Sequence, residues 1–271
     1  MDKGFMETIG KRTTAGNKEK AEIEKVEMAK REKRAVSEKK TVAWLDLGPM
    51  GYREAFEIQE ALHRDRLAGI IPNTLLFQEN PRTITLGRDA HRNNLLLSPE
   101  EYAARGYEVV AVSRGGDVSY HGPGQLVVSA IVAFEDYTAS AVTFVRYLEQ
   151  AVIDLLLPFG IESTRIKGLS GVWVPSPATG ELAKIAALGL EIDHGVCAHG
   201  LSINVHPDMA GFGEIIPCGI GDRDVIDMTA FGAAPSLAQV RDAFIAAFCG
   251  LFGLEAEALT GCYGNKNRNR T

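Results

Sequence analysis

Short apolar runs, many of them alternating with polar residues, recur along residues 41–205 and are bounded by Gly, Pro, Asn and Asp. This pattern is typical of β-strands separated by turns. The runs that predict strands are 41–46, 74–78, 83–86, 108–113, 126–134, 161–165, 171–174, 182–192 and 197–205. We therefore expect β-structure to dominate this part of the chain.

Three segments instead repeat their apolar residues at intervals of three and four, which predicts helices with one buried face. They span residues 52–68, 141–159 and 237–252. In the second segment the predicted buried face consists of Val142, Val145, Leu148, Val152, Leu155 and Leu156. The strands cluster, and no regular strand–helix alternation is visible. The predicted fold class is therefore α+β, a mixed β-sheet flanked by helices.

The composition is that of a globular protein, since 45% of the 271 residues are hydrophobic and 24% are charged. One substantial core is expected. No apolar run reaches the about 18 residues that a membrane-spanning helix needs, and the first residues carry no apolar signal-peptide core. We therefore expect a cytoplasmic protein with no membrane partner.

Charge is divided unevenly along the chain. Residues 1–40 carry 12 basic and 8 acidic side chains, whereas the remainder carries 17 basic and 27 acidic ones. An acidic body disfavours nucleic acid as a partner, because nucleic-acid-binding proteins usually present a clustered basic face. We expect residues 1–40 to form a charged, flexible or marginally helical extension, residues 41–260 a single folded domain, and residues 261–271 a polar tail.

The cysteines show neither a CxxC pair nor a metal-ligand spacing, so the sequence predicts no metal site and no disulfide framework. They are Cys197, Cys218, Cys249 and Cys262. Cys197, on a predicted strand, and Cys249, on a predicted helix, are expected to act as buried small hydrophobes. Cys218 differs because Pro217 and Gly219 put it at a bend, where a thiol can face a cavity. It is the candidate nucleophile.

A glycine-rich stretch, Arg-Gly-Gly-Asp-Val-Ser-Tyr-His-Gly-Pro-Gly-Gln, occupies residues 114–125. Glycine lets backbone N–H groups approach a ligand closely, although such a stretch can also be an ordinary turn. It lacks the spacing of the nucleotide-binding loops. Arg114, His121 and Gln125 add a cation, an imidazole and an amide, which favours the rim of a polar pocket for a small substrate.

Lys184 is a single cation in the otherwise apolar run Ala183–Gly189. It is either a solvated charge on an edge strand or a cation with a chemical role. A free thiol has a pKa of about 8.5 and needs an activator to act as a nucleophile. At about 4 Å and an effective dielectric constant of about 20, an ammonium attracts a thiolate by about 4 kcal/mol. Lys184 is therefore the candidate activator of Cys218 in an acyl-transfer site.

The motifs occur in a fixed order along the chain. RGGDVSYHGPGQ is followed by GVWV at 171–174, AKIAALGLEI at 183–192, HGLSINV at 199–205 and IPCGI at 216–220. Over about residues 41–253 this set resembles the lipoyl(octanoyl) transferase family, LipB. The resemblance implies the fold shared by lipoate and biotin protein ligases.

The resemblance also implies roles for individual residues. Cys218 would be acylated in a thioester intermediate, and Lys184 would lower the pKa of its thiol. The implied substrate-binding residues are Arg114, Gly115, Gly116, Asp117, Val118, Ser119, Tyr120, His121, Ala187, Leu188, Gly189, Gly200, Leu201 and Ser202. The chain departs from the family pattern at Ser119, Ser129-Ala130 and Ile226-Asp227, which bears on pocket shape and on chain-length preference.

The implied reaction moves an octanoyl or lipoyl group from acyl carrier protein to a lysine, without a cofactor or a metal. The implied acceptors are the lipoyl domains of 2-oxoacid dehydrogenase complexes and the glycine cleavage H protein. Three alternatives stay open. An ATP-dependent lipoate-protein ligase would not need Cys218, a cysteine acyl-thioester hydrolase would need His121 or His199 beside the thiol, and a non-catalytic acyl-binding protein would need no thiol.

Overall fold

The computed structural model of the protein describes residues 40–217 and 223–259. The predicted extension, apart from Lys40, the predicted tail and Cys218 lie outside the described residues. The strands are β1 (Thr41–Pro49), β2 (Thr74–Glu79), β3 (Thr83–Leu86), β4 (Glu108–Ala111), β5 (Val118–His121), β6 (Gln125–Ile131), β7 (Thr164–Ile166), β8 (Leu169–Pro175), β9 (Leu182–Asp193), β10 (Val196–Asn204) and β11 (Glu255–Ala258). The α-helices are α1 (Tyr52–Leu67), α2 (Pro99–Ala104), α3 (Ala141–Leu156) and α4 (Leu237–Phe252). None of the helices in these ranges is long and apolar enough to cross a membrane.

The strands form two sheets. The large sheet has the order β11-β1-β2-β6-β10-β9-β8-β7, and the small one has the order β4-β3-β5. In the large sheet β1 runs parallel to β2 and β11, and the remaining pairs are antiparallel. In the small sheet β3 is parallel to β4 and antiparallel to β5. The predicted α+β class, with a mixed sheet flanked by helices, is confirmed.

Side-chain alternation gives the large sheet two different faces. Leu75 and Phe77 of β2 are fully buried in the main core, where α3 and α4 pack. Phe77 meets Phe244 of α4 edge-on, with ring centres 6.1 Å apart. Leu76, between them in sequence, faces the other way and packs with Leu62 of α1. Helices therefore cover both faces of the large sheet.

The glycine-rich stretch lies between the predicted strands 108–113 and 126–134, but it does not join them as a hairpin. It contains β5, which pairs with β3 in the small sheet, whereas the next strand, β6, belongs to the large sheet. Val118 and Tyr120 are fully buried in the apolar cluster of the small sheet. The burial of these two side chains favours a strand in a stretch that contains many turn-forming residues. Because β5 and β6 belong to different sheets, the stretch crosses from one sheet to the other.

The secondary-structure predictions need three corrections. The predicted helix over 141–159 ends at Leu156 and continues as a single 3-10 turn to Phe159. Val142, predicted to face the core, is 71% exposed, because it lies at the start of α3 beyond the edge of the packed face. The sequence pattern also missed α2 and β11. The first is a six-residue helix begun by a capping box at Ser98, and every residue of the second is exposed, so neither has an apolar repeat.

We expect Leu148→Ala to lower the free energy of unfolding by about 2–5 kcal/mol, because the side chain is fully buried in the main core. Val142→Ala on the same helix should change it by no more than about 0.5 kcal/mol. Urea denaturation of the two variants measures both values. Equal losses would contradict the observed orientation of α3.

Candidate active site

A cavity of about 240 Å³ opens between the glycine-rich stretch, α1 and the strands β6, β9 and β10. Its floor is a row of cross-strand partners, because Gly200 of β10 lies opposite Ser129 of β6 on one side and opposite Gly189 of β9 on the other. Small side chains at these positions leave open space above the sheet. The volume of the cavity is somewhat smaller than the about 300–1,000 Å³ that is usual for the binding sites of drug-sized ligands.

Most of the residues predicted to bind substrate surround this cavity. They are Arg114, Gly115, Gly116, Asp117, Ser119, His121, Ala187, Leu188, Gly189, Gly200, Leu201 and Ser202, and Lys184 lines the same space. Val118 and Tyr120 do not, because side chains alternate along β5 and these two project into the apolar cluster. Cys218 lies outside the described residues.

The sequence pattern missed part of the lining. The additional residues are Tyr52, Phe56, Gln59, Gln78, Val127, Ser129, Gly168, Leu169, Ser170 and His199. Gln59 lies on the apolar face of α1, and Gln78 ends the apolar run of β2. A polar residue on an otherwise buried face needs a partner or a cavity, and this signal was available in the sequence.

The backbone of the glycine-rich stretch packs directly against β9. The Gly115 N–H donates to the Leu190 carbonyl at 2.9 Å. A β-carbon on Gly189 would lie 2.7 Å from the Gly115 carbonyl oxygen, so the two backbones can approach only because residue 189 is glycine. The Arg114 guanidinium donates to the Thr85 carbonyl at 3.0 Å and to its hydroxyl at 2.8 Å.

His121 is the centre of a buried chain of hydrogen bonds. Its Nε2 lies 3.1 Å from Thr85 Oγ1, and its Nδ1 lies 2.7 Å from Gln125 Oε1. The Gln125 amide nitrogen donates to Asn204 Oδ1 at 2.9 Å, so Gln125 Oε1 must accept from His121 Nδ1–H. Burial, followed by the nearby Arg114 cation, lowers the pKa of His121 to about 4. The imidazole is therefore neutral at pH 7, and both ring nitrogens are hydrogen-bonded.

Lys184 is buried, with 6% of its surface exposed. Its cross-strand partner is Trp173, and its Nζ lies 4.8 Å from the centre of the Trp173 ring, a distance typical of a cation–π contact. The register of β8 and β9 shifts at this point, since Val172 pairs with Ala186 but Trp173 pairs with Lys184. Such a bulge redirects side chains and is common beside active sites.

The chain on either side of Cys218 is attached to the site. Before it, the Ile216 N–H donates to the Asn94 carbonyl at 2.9 Å, and the Asn94 side chain donates to the Asp117 carboxylate. After it, the Lys184 N–H donates to the Asp224 carbonyl at 2.9 Å. The described segments that flank Cys218 therefore join the glycine-rich stretch on one side and β9 on the other.

His199 has a strained backbone, with φ at +56°, in the left-handed region that residues other than glycine seldom adopt. Its ring stacks on Phe56 with centres 5.5 Å apart, and its Nε2 lies 3.2 Å from Ser113 Oγ. Burial, followed by the charge of Arg114, lowers its pKa to about 3. Like His121, it is uncharged at neutral pH.

The other described thiols are unsuited to nucleophilic attack. Burial raises the pKa of Cys197 to about 12 and also raises the pKa of Cys249. Both lie in or against the main core, as expected of small hydrophobes. Within residues 40–217 and 223–259, no group of three or more His, Cys, Asp or Glu side chains could hold a metal ion.

The architecture is that of the lipoate protein ligases. The crystal structure of lipoate-protein ligase A bound with ATP superposes with a TM-score of 0.65 at 17% identity, over 82% of this chain and 90% of that one. A bi-partite lipoate protein ligase from Thermoplasma acidophilum gives a TM-score of 0.62 at 17% identity, over 82% of this chain and 88% of that one. The predicted ligase-like fold is confirmed.

Sequence similarity shows which family within this fold the chain belongs to. Residues 51–249 match the protein family described as the lipoyl protein ligase A/B catalytic domain. An octanoyltransferase from Chloroflexus aggregans is 44% identical over 217 residues, which cover 79% of this chain and 96% of that protein. An octanoyltransferase from Acidobacterium capsulatum is 43% identical over 191 residues, 68% of this chain and 78% of that protein. The chain belongs to the octanoyltransferase family, within the lipoyl protein ligase A/B catalytic domains.

The low pKa of His121 predicts a pH dependence of stability. Below its ordinary pKa of 6.5 the unfolded chain binds a proton that the folded protein does not bind until about pH 4. The free energy of unfolding should therefore fall as the pH is lowered from 6.5 to 4, by about 3 kcal/mol from this group. Urea denaturation at the two pH values measures the loss.

The matched variant is His121→Gln, whose amide can donate and accept but does not titrate. Its loss of stability between pH 6.5 and pH 4 should be smaller than that of the parent protein. An identical loss in both proteins would mean that His121 titrates normally in the folded state.

Proposed function

We propose that the protein transfers an octanoyl group from acyl carrier protein to a lysine of a lipoyl-accepting domain, through a thioester on Cys218. The acceptors would be the lipoyl domains of 2-oxoacid dehydrogenase complexes and the glycine cleavage H protein. The catalytic domain would span residues 41–260 and act in the cytoplasm. Membership of the octanoyltransferase family supports the donor and the acceptor classes.

The position of Lys184 is the observation that supports this cavity as the site of the reaction. The buried Lys184 lines the same space as the glycine-rich stretch. Its backbone bonds to Asp224 and Ile226, which follow Cys218 closely in the chain. A cation beside a thiol favours the thiolate, because opposite charges within about 4–6 Å stabilise the charged form. Lys184 is therefore the group that we assign to activation of Cys218.

In the first step the Cys218 thiolate attacks the thioester carbonyl of octanoyl-acyl carrier protein. Of the two candidate donor sets, the backbone N–H groups near Gly219 and those of the glycine-rich stretch, we assign the oxyanion to the former, because the Gly115 and Gly116 N–H groups already donate to the Leu190 carbonyl and the Asp89 carboxylate. The bond between the carbonyl carbon and the donor sulfur breaks as the new thioester to Cys218 forms. The departing thiolate takes a proton from the Lys184 ammonium, which leaves Lys184 as a neutral amine.

In the second step the neutral ε-amine of the acceptor lysine attacks the acylated Cys218. Its proton passes to the Lys184 amine, and the carbon–sulfur bond breaks. The Cys218 thiolate and the Lys184 ammonium are thereby restored, and an amide is released. An amide is more stable than a thioester, so the transfer proceeds without ATP.

The cavity supports an acyl group of moderate length. Phe56, Val127, Leu188 and Leu201 supply apolar lining. Burying the seven carbons beyond the carbonyl contributes about 6 kcal/mol at about 0.8 kcal/mol for each carbon. One methylene more or less changes binding by only about 1–3 kcal/mol, so neighbouring chain lengths should be accepted with graded efficiency.

Two other functions are less well supported. An ATP-dependent lipoate-protein ligase shares the fold, but the likeness to those structures is at 17% identity, whereas the relatives at 43–44% identity are octanoyltransferases. A cysteine hydrolase needs an imidazole that exchanges protons with the thiol. The ring nitrogens of His121 are both engaged, and its pKa is lowered to about 4, which argues against that role.

Incubation with octanoyl-acyl carrier protein should add one octanoyl group to the enzyme, and hydroxylamine should remove it. Cys218→Ser should abolish both the mass increase and transfer to a lipoyl domain, because a hydroxyl has no comparable nucleophilic anion at neutral pH. Intact-mass spectrometry measures the adduct. Cys249→Ser is the matched control and should retain it. Near-normal transfer by Cys218→Ser, or transfer that requires ATP, would exclude the covalent mechanism.

Lys184→Ala should raise the pKa of the Cys218 thiol and slow its alkylation by iodoacetamide at pH 7, because the opposing charge is removed. The rate is followed against pH, with Cys218→Ser as the background for the other thiols. Lys184→Arg should restore alkylation in part but not amide formation, since arginine does not give up a proton. An unchanged profile in Lys184→Ala would remove the lysine from the mechanism.

A further inference from the structure

Glu149 is a buried charge that the proposed reaction does not use. It lies on the packed face of α3, and its side chain is 0% exposed. Burying a carboxylate among apolar side chains is unfavourable unless several donors satisfy it. The position of those donors indicates what the carboxylate holds in place.

One carboxylate oxygen of Glu149 faces two arginines. Oε2 accepts from Arg146 at 2.7 Å and from Arg165 at 3.1 Å. The side chains of these arginines are 42% and 31% exposed. They compensate the charge from the edge of the protein. The other oxygen, Oε1, accepts from the backbone N–H of Gly171 on β8, at 3.1 Å.

Gly171 lies beside the stem of Lys184. Its φ is +119°, a conformation that favours glycine. A β-carbon at this position would lie 2.7 Å from the Ala186 carbonyl oxygen and 3.3 Å from Lys184 Cε. The β8 backbone therefore packs against the lysine side chain, next to the register shift and two residues before Trp173, whose ring contacts the ammonium.

We propose that Glu149 is a positioning residue for Lys184. Its carboxylate fixes the Gly171 N–H, and Gly171 and Trp173 then hold the stem and the ammonium of the lysine in one orientation within the cavity. The inference rests on the proposed role of Lys184. If Glu149 only linked α3 to the sheet, a charged side chain would not be needed. An apolar side chain can fill such a position without the desolvation cost of a carboxylate.

The test compares Glu149→Asp with Arg146→Ala. The first keeps the charge but shortens the side chain by one methylene, so that it no longer reaches both the arginines and Gly171. The second removes one ion pair and leaves the bond to Gly171 intact, with Arg165 still paired to the carboxylate. Unfolding midpoints are recorded for both variants, so that loss of structure is separated from loss of positioning.

Two measurements test whether Lys184 is displaced, one through its effect on Cys218 and one on the lysine itself. The first is the pH profile of Cys218 alkylation, together with kcat and KM for octanoyl transfer. The second is the NMR signal of the Lys184 ε-methylene, which the Trp173 ring current shifts because Nζ lies 4.8 Å from the ring centre. The signal is assigned from its absence in Lys184→Ala.

We expect Glu149→Asp to raise the thiol pKa, to lower kcat about tenfold with little change in KM, and to reduce the ring-current shift, because small displacements of a catalytic group are costly. Arg146→Ala should leave all of these near the parent values even if its unfolding midpoint falls. The proposal is overturned if Glu149→Asp keeps the parent lysine signal and thiol pKa, or if both variants change them equally.

Lys184→Ala, measured in the same titration, separates the two hypotheses. If it leaves the thiol pKa unchanged, the proposed role of Lys184 fails, whereas the lysine signal still tests whether Glu149 orients it. If Lys184→Ala raises the thiol pKa and Glu149→Asp does not, only the role of Glu149 is wrong.

Discussion

The small sheet and the large sheet are held together beside the cavity by a buried chain of hydrogen bonds in which His121 is the central member. Thr85 binds one ring nitrogen from β3, and Gln125 binds the other at the start of β6, from which the chain continues to Asn204 on β10. Each link fixes a donor and an acceptor, so the imidazole must stay neutral. The orientation of the glycine-rich stretch over the sheet depends on this arrangement.

Glycine provides the second constraint on the cavity. Gly115 and Gly189 bring the stretch against β9, and Gly171 brings β8 against Lys184. In each case a β-carbon would meet a backbone carbonyl at 2.7 Å or 3.3 Å. These close approaches fix the backbone segments around the cavity, whereas side chains such as Phe56, Leu188 and Leu201 supply its apolar lining.

The charged groups and their surroundings differ between the two ends of the site. At the glycine-rich stretch, Arg114 is the cation, and the neighbouring imidazoles of His121 and His199 are neutral because burial and that cation disfavour their protonation. At β9, the buried Lys184 lies over an aromatic ring, with a carboxylate on α3 fixing the backbone beside it. A single mobile proton at Lys184 is what the proposed two-step transfer requires.

The sequence by itself determined most of the strands, the three long helices, the mixed-sheet class and the family, because local periodicity and ordered motifs carry that information. It also indicated twelve of the cavity-lining residues and Lys184. Only the tertiary structure decided that β5 lies in a separate sheet, that Phe56 and Val127 line the cavity, that Val142 is exposed and that Glu149 reaches Gly171. Those features depend on which distant segments meet, and no local pattern encodes such contacts.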